Sequence, residues 1–182
     1  MLFWVTVNTH VWICDEAMMF DKIALNPPNR SIEISIDWSQ YKLKSDKLHI
    51  RESEFERFAR EFVEKIARHN PPSPLLILTD STIDYYNDEQ NCANKFIEEL
   101  LLEKNIVAHI DAICGSGFVA ESQNNNHIHR RLKRGISHYA PESIMLMAGW
   151  NDIGLAHTQP ALVKVLSTIE DYFTNGIRSI KK

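Results

Sequence analysis

Short apolar segments alternate with amphipathic stretches along the chain, and this alternation limits the possible folds more than any other feature. Leu75 to Leu78 form a continuous apolar run, typical of a parallel strand that is covered on both faces. After Glu54 the apolar positions recur at helical spacing instead, and they form one stripe of Phe55, Phe58, Ala59, Phe62 and Ile66. The exchange between strand and helix patterns happens roughly five times, which predicts an α/β fold with a parallel sheet and helices on both sides.

The boundaries of these elements follow from the same patterns and from Pro and Gly residues between them. The predicted strands are 2–7, 31–38, 75–78, 106–114 and 144–147. The predicted helices lie within 15–25, 54–66, around 96–100, 129–139 and 160–173. Pro160 stands in the first turn of the last helix and Gly176 stands beyond its end, which are favoured positions for these residues.

Length and composition indicate an ordinary globular protein. A chain of 182 residues suits one core, so we expect a single domain over 1–182. The net charge of −4 predicts no general attraction to nucleic acid or to an anionic membrane, and the basic run at 130–134 is interpreted as the solvated face of a helix. No segment has the apolar length of a bilayer span, and residues 1–7 lack the basic flank of a signal peptide, so we expect a cytoplasmic location.

The cysteines and histidines do not form a familiar metal or disulfide pattern. Cys14, Cys92 and Cys114 are scattered and odd in number, which argues against a disulfide framework or a zinc knuckle. His127 and His129 have the spacing of a metal pair, but beside an Asn-rich loop they are interpreted as solvated side chains. We therefore expect no metal.

Polar, glycine-containing or titratable residues follow four of the five predicted strands. They are Asp46-Lys47-Leu48-His49 after the second strand, Thr79-Asp80-Ser81 after the third, Gly115-Ser116-Gly117 after the fourth and Gly149-Trp150-Asn151-Asp152 after the fifth. The carboxyl ends of parallel strands meet at one edge of a sheet, and this is where α/β proteins bind ligands. The sequence therefore predicts one site built from these four segments.

Taken together, the four segments resemble the motif blocks of the SGNH (GDSL-like) hydrolases. That family has Gly-Asp-Ser, an isolated Gly, Gly-x-Asn-Asp and Asp-x-x-His, and the matching residues here are Ser81, Gly115, Asn151, and Asp46 with His49. The resemblance covers essentially the whole chain. It implies a three-layer α/β/α sandwich with a flavodoxin-like, five-stranded parallel sheet.

The order of the blocks differs from that of the family. Asp-x-x-His comes last in SGNH hydrolases, whereas Asp46 and His49 precede Ser81 here, so the resemblance implies a circularly permuted fold. Chain ends are commonly close together at the surface, which makes such a rearrangement tolerable. Two residues depart from the family pattern: Thr79 stands where the family has glycine, and Ile50 stands where proline often follows the histidine.

The resemblance implies ester hydrolysis by a Ser–His–Asp triad. Ser81 would be the nucleophile, His49 its general base and Asp46 the group that orients the imidazole. The backbone N–H groups of Ser81 and Gly115 and the side-chain amide of Asn151 would form the oxyanion hole. The implied substrate is an acyl or acetyl ester of a small molecule, a lipid or a sugar, with no cofactor. Trp150 is expected to line the substrate pocket, with Tyr85 and Tyr86 as further candidates.

Each motif alone has a structural explanation, and other functions remain open. Asp80-Ser81 also fits a helix N-cap, His49 a surface histidine, Gly115-Ser116-Gly117 a flexible loop and Asn151-Asp152 a plain turn. A non-catalytic binding or scaffold protein could keep the fold while Thr79 distorts the nucleophile turn. An acyltransferase could use the same triad. A chain cut from two adjacent units could pair with a second copy by swapping halves.

Overall fold

The structure is a computed structural model that describes residues 2–7, 31–46, 49–86, 92–120, 126–148, 150–152 and 158–176. The helix predicted within 15–25 lies outside these residues. Across the described part of the chain, no helix combines the length and the apolar character needed to cross a bilayer.

Parallel strands form the sheet at the centre of the fold. The strands are β1 (Leu2–Val7), β2 (Ser31–Ile36), β3 (Leu75–Thr79), β4 (Ala108–Ala112) and β5 (Ser143–Met147). They lie in the order β2-β1-β5-β3-β4, and each neighbouring pair is parallel. In the register, Ile77 of β3 lies opposite Ile110 of β4 and Met145 of β5. The predicted α/β class with a parallel sheet is confirmed.

Helices follow β2, β3, β4 and β5 along the chain. They are α1 (Glu52–Ala67), α2 (Ser81–Asp84), α3 (Ala93–Glu103), α4 (Ile128–Tyr139) and α5 (Thr158–Asn175). Two single turns of 3₁₀-helix, at Trp38–Gln40 and Trp150–Asp152, follow β2 and β5. The first of these ends β2 two residues earlier than predicted, because the Asp37 carboxylate accepts hydrogen bonds from the Ser39 N–H and hydroxyl and turns the backbone.

Apolar side chains on the two faces of the sheet belong to two separate clusters. Leu75 and Ile77 of β3 pack in one cluster with α1 and α3, whereas Leu76 and Leu78 pack in the other with α4 and α5. All four side chains are fully buried. The continuous apolar run of β3 is thus explained by helices on both faces of this strand.

One basic residue departs from the predicted solvated face of α4. Arg130 and Arg134 are exposed, but Arg131 is completely buried, because it lies on the helix stripe that also carries Leu132 and Ile136.

The buried guanidinium of Arg131 donates to the Thr79 carbonyl at 2.9 Å and pairs with Asp111. Burial lowers the pKa of Arg131, and Asp111 opposes that effect. The interpretation of 130–134 as a wholly solvated run is therefore wrong for this position.

Candidate active site

The predicted nucleophile, Ser81, is the first residue of α2 at the carboxyl end of β3. The preceding Asp80 is the helix N-cap: one carboxylate oxygen accepts from the Thr82 N–H at 3.0 Å and from the Thr82 hydroxyl at 2.7 Å. Asp80 is fully buried and Ser81 is half-buried. The turn from strand to helix therefore fixes Ser81 at the edge of the sheet.

Thr79 is the last residue of β3. It stays in parallel register with Ala112 and Met147, and its carbonyl accepts the bond from Arg131. Its side chain is fully buried, and its hydroxyl has no hydrogen-bond partner within the described residues. The strand thus continues unbroken up to the N-cap.

Asp46 and His49 lie on a small hairpin that leads into α1. The Lys44 N–H donates to the His49 carbonyl at 2.7 Å, and the Arg51 N–H donates to the Lys42 carbonyl at 2.8 Å. Both carboxylate oxygens of Asp46 contact His49, one at the backbone N–H (3.0 Å) and one at ring Nδ1 (2.8 Å). With a proton on Nδ1, the imidazole presents Nε2 as an acceptor, which is the form a general base needs.

Two neighbouring tyrosines join this hairpin to α2. The His49 ring stacks on Tyr85 with ring centroids 4.2 Å apart and an interplanar angle of 20°. The Tyr86 hydroxyl donates to the Ile50 carbonyl at 2.7 Å, and the Ile50 side chain is buried. Ile50 therefore serves as an anchor for the hairpin.

These contacts pack the His49 ring against the C-cap residue of α2. Tyr85 follows Ser81 by four residues, its N–H donates to the Ser81 carbonyl at 3.2 Å, and residues at this spacing share one helix face. Within the described residues, neither the Ser81 hydroxyl nor His49 Nε2 makes a hydrogen bond. The link that the structure shows between them is indirect: the His49 ring stacks on Tyr85, which is bonded through its N–H to the Ser81 carbonyl.

The turn that carries Gly115 is fixed against the same helix. The Ser116 N–H donates to the Ile113 carbonyl at 3.2 Å, and Gly115 has a φ of 73°, a conformation that glycine adopts without a Cβ clash. The Cys114 N–H donates to the Asp84 carboxylate at 2.6 Å. Asp84 is the last residue of α2, so its carboxylate ties the Gly115 turn to the helix that begins at Ser81. The sequence analysis missed this residue, although a carboxylate three positions after the serine was a visible signal.

Asn151, the third predicted oxyanion donor, lies beside the same turn. Its side-chain amide donates to the Ser116 carbonyl at 2.9 Å. A primary amide has two N–H donors, so one of them remains for a second acceptor. Gly149 lies outside the described residues and so does the side chain of Trp150, so the prediction that Trp150 lines the substrate pocket is not addressed by the structure.

Asp152 is a structural residue of this edge that the sequence analysis did not single out. Its buried carboxylate accepts from the N–H groups of Phe118, Val119 and Ala120 at 2.7 to 2.8 Å. A Cβ at Gly117 would lie 2.3 Å from an Asp152 carboxylate oxygen, which is far inside contact distance. Glycine is therefore required at 117, and the Asp152 carboxylate holds the backbone of 118–120 in place.

The thiol closest to this site is poorly suited to nucleophilic chemistry. Burial, together with the adjacent Asp84, raises the pKa of Cys114 to about 12, so its thiol stays protonated at neutral pH. Burial also raises the pKa of the Asp80 carboxyl, while Arg131 and His49 lower it. Ser81, at the start of α2, is therefore a better candidate nucleophile than this thiol.

His127 and His129 use their ring nitrogens in the fold. Nδ1 of His127 accepts from the Arg130 N–H at 3.2 Å, and Nε2 of His129 lies 3.0 Å from the Thr168 hydroxyl. Burial, together with Lys164 and Lys133, lowers the pKa of His129 to about 4. Among the described residues, no group of three or more His, Cys, Asp or Glu side chains is arranged to hold a metal ion.

Comparison with known proteins adds no relative. No family model matches the chain, and neither a curated protein nor a solved structure matches it.

Proposed function

We propose that this protein is a serine esterase with the fold of a circularly permuted SGNH hydrolase. The observation that carries the proposal is the position of His49, which is held by Asp46 and stacked on the helix that begins at Ser81. An activated nucleophile is generally a hydroxyl with a base nearby, and a carboxylate fixes the ring of that base on its other side.

The strand order supports the permuted fold. When the strands are renumbered from β3, so that β3, β4, β5, β1 and β2 become 1 to 5, the order β2-β1-β5-β3-β4 reads 2-1-3-4-5 from its other end. That is the order of flavodoxin-like sheets. The separate apolar clusters on the two faces of the sheet support the three-layer arrangement.

In the proposed mechanism Ser81 forms and then loses an acyl group. The Nε2 atom of His49 takes the Ser81 proton while Oγ attacks the ester carbonyl, and Asp46 stabilises the imidazolium. The N–H groups of Ser81, Gly115 and the Asn151 amide would stabilise the oxyanion. The imidazolium then protonates the leaving alcohol, and the resulting acyl-enzyme is hydrolysed by a water molecule that gives its proton to His49.

Labelling with a fluorophosphonate probe tests the nucleophile directly. We expect the folded wild-type protein to be labelled, and Ser81→Ala to be unlabelled with an unchanged melting temperature. Ser167→Ala is the matched control, because Ser167 is on the exposed side of α5 and its hydroxyl, among the described residues, donates to the Val163 carbonyl of its own helix. An unlabelled wild-type protein would contradict the proposal and favour a non-catalytic binding or scaffold protein.

A panel of nitrophenyl esters from acetate to long chains, with an acetylated sugar beside them, defines the substrate class. We expect Ser81→Ala to lose turnover of nitrophenyl acetate by roughly 10⁴-fold or more, as in other triad enzymes. An added alcohol that outcompetes water for the acyl group would identify an acyltransferase instead. Retention of wild-type turnover by Ser81→Ala would exclude the mechanism.

A further inference from the structure

We propose that Tyr85 is a positioning residue that fixes the plane of the His49 ring so that Nε2 faces Ser81, an inference that rests on the proposed function. The two rings are nearly parallel and 4.2 Å apart. Tyr85 is the C-cap of α2 and follows Ser81 by four residues, the spacing of one helix face, so the tyrosine lies where it can control the direction of the imidazole.

The hydrogen bond to Asp46 does not by itself fix the imidazole. One hydrogen bond at Nδ1 (2.8 Å) lets the imidazole ring tilt about the line that joins Nδ1 to the Asp46 oxygen. Such a tilt would move Nε2 away from Ser81. A stacked aromatic ring resists that tilt, because offset-parallel geometry is favoured between aromatic rings. Asp46 and Tyr85 therefore act on different motions of the same side chain.

Tyr85 is itself held by groups from other segments. The Lys44 ammonium donates to the Tyr85 hydroxyl at 2.9 Å, lies 4.3 Å from the ring centroid and pairs with Glu52. The ring also makes an edge contact with Tyr86, at a centroid distance of 5.4 Å. Because the tyrosine is fixed on several sides, it can act as a support for the imidazole.

The structure also provides a matched internal control. Tyr139 stacks on His109 with ring centroids 4.0 Å apart and an angle of 14°, and it is 37% exposed, against 40% for Tyr85. This second pair combines the last residue of α4 with β4. It has the chemistry of the Tyr85–His49 pair, but it belongs to the opposite end of α4 from the Gly115 loop.

The experiment compares steady-state kinetics of the full chain on nitrophenyl acetate. We expect Tyr85→Leu and Tyr85→Gln to lower kcat roughly three- to tenfold, the worth of an aromatic pair, with little change in KM. Tyr85→Phe keeps the ring and should restore most of the turnover. Tyr139→Leu should leave kcat and KM at their wild-type values.

Proton NMR reports the stack independently of activity. A ring stacked on an imidazole shifts its carbon-bound protons upfield, so the His49 signals, identified by their loss in His49→Gln, should move downfield in Tyr85→Leu and stay in place in Tyr85→Phe. Tyr139→Leu should move the signals of His109 and of His138, whose rings contact Tyr139, and leave those of His49 in place.

The outcomes separate the two proposals. A wild-type protein that neither labels nor turns over ester overturns the esterase proposal and the positioning role together. If the wild-type protein is active, unchanged kcat in both ring-removing variants overturns the positioning role alone. A change confined to KM would also overturn it, because Tyr85 would then bind substrate.

Discussion

The two ends of the sheet use the same kind of contact for different purposes. At the amino end, polar side chains bind the backbone of the segments that lead into the strands. The Ser143 hydroxyl donates to the Pro72 carbonyl at 2.6 Å, before β3. The Ser73 hydroxyl accepts from the Val107 N–H at 3.0 Å, before β4. The Tyr172 hydroxyl donates to the Pro141 carbonyl at 2.8 Å, before β5. Such bonds satisfy backbone groups that would otherwise be left without partners.

At the carboxyl end, Asp84, Asn151 and Asp152 bind the backbone in the same way. The difference is that a serine hydroxyl and an imidazole nitrogen remain there with no hydrogen-bond partner among the described residues, in the middle of a well-bonded set of loops. A candidate active site can therefore be recognised by polar groups that the fold holds in place but leaves without a hydrogen-bond partner.

The largest effect should come from Gly117→Ala at the carboxyl end. The new methyl group would displace the Asp152 carboxylate, which binds three N–H groups of the loop. We expect a loss of about 3 kcal/mol in the free energy of unfolding, measured by urea denaturation, because hydrogen bonds to a buried charged group are costly to break. Under the proposed function, esterase activity should fall as well, since the Gly115 turn belongs to the same loop. Wild-type stability in this variant would show that Asp152 does not hold the loop.

Asn151→Ala should affect chemistry at the carboxyl end more than stability. Loss of one oxyanion donor typically costs about a hundredfold in kcat, so turnover of nitrophenyl acetate should fall by about that factor. The acyl-enzyme should still be detectable by mass spectrometry, because Ser81 and His49 are intact. An Asn151→Ala protein with wild-type kcat would remove this residue from the oxyanion hole and leave its bond to Ser116 as a structural contact.

Ser143→Ala tests the other half of the comparison at the amino end. The substitution leaves the Pro72 carbonyl without its hydroxyl donor, so we expect a loss of about 1 kcal/mol in the free energy of unfolding. The values of kcat and KM should not change. A kinetic effect as large as that of Asn151→Ala would break the distinction between the two ends of the sheet.

The smallest effect concerns His129, which lies in the first turn of α4 and serves stability rather than chemistry. Its pKa is lowered to about 4 by burial, against an ordinary value of 6.5. Between these two pH values the unfolded chain binds more protons than the folded one, so stability is full above pH 6.5 and is lost as the pH falls towards 4. His129→Gln keeps a partner for Thr168 but cannot be protonated.

We therefore expect the fall in melting temperature between pH 7 and pH 4.5 to be a few degrees smaller in His129→Gln than in the wild-type protein. His69→Gln is a suitable control, because His69 is an exposed residue just after α1. An equal pH response in the wild-type protein and in His129→Gln would show that another group controls the acid sensitivity.

Much of the fold was predictable because periodicity is a local property. The apolar run at 75–78 predicted a strand covered on both faces, and the stripe from Phe55 to Ile66 predicted a helix covered on one face. Both predictions are confirmed. Arg131 was mispredicted for the same local reason: a run of basic residues indicates solvent, but the helix stripe places this one inside, where Asp111 and the Thr79 carbonyl pair with it.

The candidate site was predictable in its residues but not in its connections. Strand ends showed that Ser81, Gly115 and Asn151 would lie at one edge, since parallel strands place their carboxyl ends together. The supporting contacts join residues some thirty to forty positions apart, such as Tyr85 with His49, Asp84 with Cys114 and Asp152 with Phe118. No local pattern encodes these pairs.

Side-chain periodicity and turn residues act over a few positions. They were therefore enough to predict the types and order of the elements and the edge at which polar residues collect. Four features became visible only in the folded structure: the strand order, the burial of Arg131, the requirement for Gly117 and the stacking of His49 on Tyr85. These features depend on which distant backbone atoms meet when the sheet closes, and packing in three dimensions fixes that choice.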